Sequence, residues 1–310
     1  MARAHLLILN YNGADILGET LPTLQAAMAQ SKHECRLSVI DNASPDKSVD
    51  FLKEHFKNVT IYRQPNRLLC SYNEVLEQID EEWVILLNND LKVAPDFLDL
   101  LLDPFLEDPL LFMVSPSNRS YDGRQSRGGP CRAWMSFGIF KAADIPENKS
   151  QKITEAVATF AAGSAGAYDR KKFLALGGYD DLYLPGTVED TDLCFRAWKR
   201  GYRCLYEARS VVYHEGQRSF RKAFGVFGTA EMNARNIYLF MWKNFEDPRL
   251  WVEHLICLPL RLVGHLLRGQ LFWITGFVKA LGRLPEVLKR RRLADRALWK
   301  RTDKEVIAIV

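Results

Sequence analysis

Three acids stand within four residues at Glu189, Asp190 and Asp192, and two further residues suited to chemistry lie elsewhere in the chain, Asp90 and His214. Asp90 follows the apolar run Val84-Ile85-Leu86-Leu87. A carboxylate held at the end of a buried strand suits a divalent cation that bridges phosphates; it equally suits a residue that opens a turn. The acids at 189–192 open a helical pattern. The helix dipole accounts for carboxylates in a first turn, yet three of them exceed what a cap needs. His214 ends the strand-like run Val211-Val212-Tyr213. Most single histidines are structural, but one at a strand end near an acidic site is a candidate metal ligand.

Such residues need a rigid edge to sit on. Over the first ~115 residues, short apolar runs alternate with helical spacings, as βα units do. Strands are expected at His5–Leu9, Cys35–Ile40, Val59–Arg63 and Trp83–Leu87. Helices are expected at Leu17–Ala29, Ser48–Phe56 with Ser48 as N-cap, Ser71–Ile79 and Asp96–Phe105. This alternation implies a mostly parallel sheet covered on both faces, with ligands beyond the carboxyl ends of its strands. Three polar clusters fall at such ends: Asn10-Tyr11-Asn12, Asp41-Asn42 and Asn88-Asn89-Asp90. Farther on, Trp134–Phe140 reads as a strand, Asp169–Leu176 and Glu189–Lys199 as helices, and Arg203–Tyr206 and Ser210–Tyr213 as two short strands. From Ala223 the pattern is mostly helical.

Composition sets the class. The 310 residues carry a net charge of +4 and ordinary apolar content, enough for a sizeable core. Six scattered cysteines with no C-x-x-C pair fit reduced thiols, and the N-terminal apolar run is too short for a signal-peptide core, so a cytoplasmic protein is expected.

The motifs taken together resemble the family 2 inverting glycosyltransferases of the GT-A fold, and more narrowly their bacterial rhamnosyltransferase-like members. The resemblance rests on Leu9-Asn10-Tyr11-Asn12-Gly13, Val39-Ile40-Asp41-Asn42-Ala43-Ser44, Leu86-Leu87-Asn88-Asn89-Asp90, the stretch from Gly163 to Arg170, Gly177-Gly178-Tyr179-Asp180, Glu189 to Arg196, and Val212-Tyr213-His214. It spans roughly residues 5–245. It implies an α/β nucleotide-sugar-binding domain and a Mg²⁺ or Mn²⁺ cofactor. Asp90 would be the metal-binding acid, His214 a second metal ligand, and Asp190 the general base. Glu189 would orient that base or shape the acceptor side, with Asp192 and Gly163 also on the acceptor side. Asp41, Asn10, Asn12, Asn66, Asn73 and Asn89 would line the donor, a UDP- or dTDP-sugar. The acceptor would be a glycan or lipid-linked hydroxyl in cell-surface polysaccharide synthesis. Two positions depart from the family pattern: Asn88 replaces the first acid of the D-x-D element, and the loop Asn66–Asn73 has Leu68 and Leu69 where small residues are usual.

The catalytic domain is expected over residues 1–222 and a helical, basic extension over 223–310. Between Arg249 and Lys304 stand thirteen Lys and Arg against four Asp and Glu, so the remainder is net acidic. Trp251, Leu255, Leu258, Leu262 and Leu266 form a helical apolar stripe, with Pro259 expected to kink or divide the helix. No uninterrupted apolar stretch approaches the ~18–20 residues of a membrane span. The stripe, Trp251, Trp273 and the run Lys289-Arg290-Arg291-Arg292 suggest a helix lying on the anionic inner face of the cell membrane; a helical subdomain packed on the core is the alternative. No nucleic-acid reader motif accompanies the basic run. A sugar nucleotidyltransferase and a catalytically inactive sugar-nucleotide-binding relative are the rival functions. A dehydrogenase is disfavoured, since no G-x-G-x-x-G follows the first strand.

Overall fold

A computed structural model describes residues 3–145, 155–214 and 218–309, with the side chains of 127 and 218–222 outside the description. The strands are β1 (Arg3–Asn10), β2 (Glu34–Asp41), β3 (Thr60–Arg63), β4 (Trp83–Asn88), β5 (Leu91–Val93), β6 (Leu111–Arg119), β7 (Ser126–Gly128), β8 (Cys131–Ser136), β9 (Ile139–Asp144), β10 (Val157–Ala158), β11 (Ala165–Asp169) and β12 (Arg203–His214). The helices are α1 (Ala14–Gln30), α2 (Ser48–His55), α3 (Ser71–Leu76), α4 (Phe97–Glu107), α5 (Arg170–Ala175), α6 (Glu189–Lys199), α7 (Arg218–Asn244), α8 (Pro248–Leu267), α9 (Leu271–Gly282), α10 (Leu284–Leu293) and α11 (Asp303–Ile307).

The main sheet has the order β10-β12-β6-β11-β4-β1-β2-β3. β3, β2, β1 and β4 pair in parallel. β11 then enters antiparallel between β4 and β6, and β12 runs parallel to β6. The α/β sheet with its parallel half and the helical C-terminal region are as expected; the antiparallel β5, β7, β10 and β11 are additions that make the sheet mixed. Period-two burial explains the layers. Leu6, Ile8, Ile85 and Leu87 face one core with α1 and α4, while Leu7, Val84 and Leu86 face the other with α3, α6 and α7.

Several local expectations change. Ser48 is the first residue of α2, not its cap. The Asp46 carboxylate accepts its N–H at 3.0 Å, which leaves the Ser48 hydroxyl to accept from Gly13 N–H at 3.2 Å. Residues 203–214 form one strand with a register shift between Glu207 and Val211, where the buried Glu207 carboxylate accepts the Arg209 N–H. Trp134–Phe140 is not one strand but the tip of a hairpin, β8 and β9, turning at Phe137 and Gly138 with φ of 50° and 72°. The hairpin tip docks on α8, which explains how a phenylalanine keeps that backbone conformation.

The core does not break at residue 222. Tyr238, Trp242, Phe245, Ala280, Val287 and Val306 share one cluster with Leu7, Ile40 and Phe195. Pro259 does not divide α8, which stays continuous for 20 residues. By length and composition α8 could cross a membrane, contrary to the expectation from uninterrupted apolar runs; the requirement tolerates the few polar residues it contains.

Candidate active site

The carboxyl edge of the sheet gathers most of the predicted residues. His214 pairs across the sheet with Leu91, the residue after Asp90. This register brings His214 Nε2 to 3.0 Å from Asp90 Oδ1, although 124 positions separate them in the chain. Both side chains keep some solvent access. Together they offer one carboxylate oxygen and one imidazole nitrogen. No group of three or more His, Cys, Asp or Glu among the described residues is arranged to hold an ion. A divalent cation here would therefore take its other ligands from phosphate oxygens and water, a donor set that Mg²⁺ and Mn²⁺ accept at nucleotide phosphates.

Asp190 reaches the same edge by another route. β11 enters antiparallel, so the residues preceding it lie beside the end of β4, where the Ser164 carbonyl accepts the Asn88 N–H at 3.0 Å. The neighbouring Gly163 N–H and the Tyr179 hydroxyl both hydrogen-bond the Asp190 carboxylate. Burial outweighs these two donors and pushes the Asp190 carboxyl up to about 6. Glu189 is pushed up to about 8, first by burial and then by the Asp190 charge. Its Oε2 is buried and has no hydrogen-bond partner. Near neutral pH the pair therefore divides its labour: Asp190 is largely ionised and Glu189 largely protonated.

Asp192 behaves differently. It is 0% exposed. It accepts from the Tyr183 hydroxyl at 2.7 Å, Arg196 Nε at 2.7 Å, Lys243 Nζ at 2.8 Å and Asn244 Nδ2 at 2.7 Å. Burial opposes its charge, but Arg196 and Lys243 prevail and hold its carboxyl below the ordinary range. It is the anchor of α6 and does not face an acceptor. Helical geometry explains the contrast, since Asp192 lies about 200° round the helix from Asp190 at ~100° per residue.

The donor residues also divide. Asn89 Nδ2 donates to Asn10 Oδ1 at 2.8 Å, and Asn10 Nδ2 to Asp41 Oδ1 at 3.3 Å. Gly13 packs directly beneath the first pair; a Cβ there would collide with Asn10 Oδ1 and Asn89 Nδ2. Asn12 is exposed, and its N–H reaches the Ser44 hydroxyl at 3.0 Å. Asp41 is fully buried beneath the loop that follows it, where it accepts from Ser44 N–H at 3.2 Å, so it shapes that loop from below. Asn66 caps the turn at Leu68 through a 3.1 Å bond from the Leu68 N–H. Asn73 is not on the donor side. It grips the Tyr179 backbone at both ends, accepting its N–H at 2.9 Å and donating to its carbonyl at 2.8 Å. Gly178, with φ of 64°, must lack a side chain because a Cβ would strike Asn73 Oδ1.

Sequence reasoning missed the residues that hold the 183–188 segment before α6. Asn236 Nδ2 donates to the carbonyls of Tyr183 at 2.7 Å, Gly186 at 2.6 Å and Thr187 at 3.0 Å. Arg235 donates to the Leu184 carbonyl at 2.7 Å, and Lys243 bridges Asp180 and Asp192. The available signal was a polar residue inside an apolar helical stripe: Asn236 stands between Met232 and Phe240. Asn42 was named in a strand-end cluster but given no role of its own. Its buried Oδ1 has no partner, and an orphaned acceptor beside Asp41 suits a bound ligand or water.

A parallel nucleotide-binding edge, an Asp–His pair and an adjacent raised carboxylate define the class of GT-A-type nucleotide-sugar-binding folds. Residues 6–175 match the pattern of Glycosyl transferase family 2, and the chain belongs to that family. It is 23% identical over 190 residues to the pre-mycofactocin glycosyltransferase of Mycobacterium tuberculosis, a match that covers 60% of this chain and 38% of that protein. Among solved structures, GalNAc-T7 with UDP, GalNAc and Mn²⁺ aligns with a TM-score of 0.57 at 17% identity, over 80% of this chain and 49% of that one. The Pyrobaculum calidifontis mannosyltransferase PcManGT, in complex with GDP-Man and Mn²⁺, aligns with a TM-score of 0.53 at 16% identity, over 96% of this chain and 81% of that one. At these identities the structural likeness concerns the fold.

Proposed function

We propose that this protein is a metal-dependent glycosyltransferase that moves a sugar from a nucleotide-sugar donor to a hydroxyl of a glycan or lipid-linked acceptor, with inversion. The observation that carries the reading is the meeting of the Asp90–His214 pair and the raised Asp190 carboxyl on one edge of the sheet. Membership of Glycosyl transferase family 2 supports the reaction class, and two neighbours of similar fold hold Mn²⁺ with UDP or GDP-Man.

A Mg²⁺ or Mn²⁺ ion bound by Asp90 and His214 would neutralise charge building on the leaving diphosphate. The remaining work belongs to the chain. Asp190, ionised at neutral pH and steered by Tyr179 and Gly163, takes the proton of the acceptor hydroxyl as that oxygen attacks the anomeric carbon. The bond from the anomeric carbon to the diphosphate oxygen breaks, and its electrons leave with the nucleotide. Glu189 keeps its own proton and does not compete as a base. One base and one displacement give inversion. Asn12, Asn89 and the loop after Asp41 form the donor side, braced from beneath by the buried Asn10. A UDP- or dTDP-sugar donor and an acceptor of cell-surface polysaccharide synthesis are the specific substrates proposed.

Asp190→Asn tests this. Transfer should fall by about 10²–10⁴-fold, while donor affinity, read by thermal shift on the same sample, stays close to wild type. The wild-type rate should fall off below a pH of about 6, where Asp190 takes up its proton, and the variant should lack that limb. Near-normal turnover in Asp190→Asn, or an unchanged acid limb, removes Asp190 from the role of base. A retained anomeric configuration in the product, read by NMR, refutes the single displacement.

A further inference from the structure

We propose that the outer face of α8 is a membrane-docking surface, on which the protein lies against an anionic lipid bilayer without crossing it. α8 is apolar on its outer side, where a solvated amphipathic helix is polar. Its seam toward the protein mixes apolar residues, Leu250, Trp251 and Leu258, with polar ones. His254 is 2% exposed, accepts the Trp242 indole N–H at 3.1 Å and meets the Gly138 carbonyl through Nδ1 at 2.7 Å. Arg261 donates to the Ser136 carbonyl at 3.3 Å, and His265 stacks on Trp273 with ring centroids 5.0 Å apart. Residues 254, 261 and 265 recur at helical spacing on one side.

The other side is aliphatic and open. Val252, Leu255, Ile256, Leu260, Val263 and Leu267 are each more than half exposed, and Leu267 reaches 82%. From Val252 to Leu267 the strip runs roughly 22 Å at the helical rise. It continues onto the exposed Leu271 at the start of α9, and Phe227 of α7, half exposed, lies edge-on to Phe272 at 6.4 Å. Scattered exposed aliphatics are ordinary, whereas a continuous strip of this length calls for an apolar partner.

Charge selects lipid over a second copy of the chain. Arg268, Lys289 and Arg292 are exposed in the same helical region. Its acids Glu253 and Glu286 are already engaged, with the Gly138 N–H and with Arg283. Two copies meeting here would bring cations together with few acids to match them; an anionic bilayer satisfies the strip and the cations together. Crossing the bilayer would strip His254, Arg261 and His265 of their partners, so α8 lies in the plane. The basic run contributes only half its charge, because Arg290 binds Asp180 and Asp181 while Arg291 binds the carbonyls of Trp242, Lys243 and Phe245. Apolar burial therefore carries most of the binding, and salt screens only the smaller part.

Co-sedimentation of the full chain with vesicles of phosphatidylcholine, alone or with phosphatidylglycerol, tests this. Wild type should pellet with the anionic vesicles at low salt and retain most of its binding at high salt. Ile256→Glu, Leu260→Glu and Leu267→Glu together should weaken binding at least about tenfold. Lys289→Ser with Arg292→Ser should remove only the salt-sensitive increment. Circular dichroism reports whether the triple variant is folded; if it is not, Leu267→Glu alone, at the most exposed position, gives a smaller decrease of the same sign. Wild type that ignores anionic vesicles at low salt overturns the proposal, as does undiminished binding of the folded variants. Self-association abolished by the triple variant, without vesicle binding, assigns the face to a second copy. Cleavage by protease sealed inside the vesicles assigns a crossing helix, and either result overturns the docking surface.

Discussion

Replacing Glu189 with Gln should stabilise the fold, by an amount that grows with pH. Burial and the Asp190 charge hold the Glu189 carboxyl at about 8, against an ordinary value of 4.5. Below 4.5 the folded and unfolded chains both carry the proton, and the group imposes no penalty. Between 4.5 and about 8 the unfolded chain gives up its proton while the folded chain keeps it, so wild-type stability falls as pH rises. Above about 8 the loss is complete. Its ceiling is about 5 kcal/mol. Glu189 is partly open to solvent, and screening brings the expected loss to roughly 2 kcal/mol. Gln has no proton to lose, so its advantage over wild type should emerge from about pH 5 and level off near about pH 9. Urea unfolding of both proteins at intervals across that range reads the difference directly. An advantage that is the same at every pH would refute the raised Glu189 carboxyl, and with it the division of labour between the two acids.

Two further outcomes follow from the same contacts. Asp90→Ala and His214→Ala should each weaken Mn²⁺-dependent nucleotide binding, and the double variant should lose little beyond either one, since both act through one ion; calorimetric titration with EDTA controls checks this, and metal-independent binding would return Asp90 to a turn residue. Lys243→Met should destabilise the protein by about 3–5 kcal/mol, because it leaves the buried Asp192 and Asp180 with less compensation; chemical unfolding at neutral pH measures it, and a loss under about 1 kcal/mol would show that Arg196 and Arg290 suffice.

The parallel half of the sheet was legible because its strands are short apolar runs between helices of ordinary length, and three of the four end on a polar cluster. The Asp90–His214 pair was legible as two strand-end residues, although only the β5–β12 register explains why they touch. Asp192 misled because three acids in one helical turn look alike in sequence, while helix rotation sends one of them into the core. Asn73 misled for a similar reason: an Asn after a loop suits a ligand, yet here it meets a backbone segment 106 positions away. α8 was read as one apolar stripe, but that stripe is split. Trp251, Leu258 and Leu262 are partly covered, while Leu255 and Leu266 point outward. Which side of such a helix meets the protein depends on the hairpin tip and on Trp273, partners that no local pattern names.

The place of β11 has a consequence for how the chain is made. β1 to β4 can pair with one another as soon as they leave the ribosome, since all four lie within the first 88 residues and only the outer flank of β4 waits for β11. β6 cannot. Its far end, Asn118 and Arg119, meets β7 early, but its Leu111–Val114 part is flanked by β11 and β12, and the nearer of these begins only at Ala165. At synthesis rates of about 5–20 residues per second, the Leu111-Phe112-Met113-Val114 segment waits several seconds with both flanks bare. During that interval it is the part of the nascent chain most open to chaperone capture or to strand pairing with another copy; β11 covers one flank as it joins the two halves of the sheet, and β12 later covers the other.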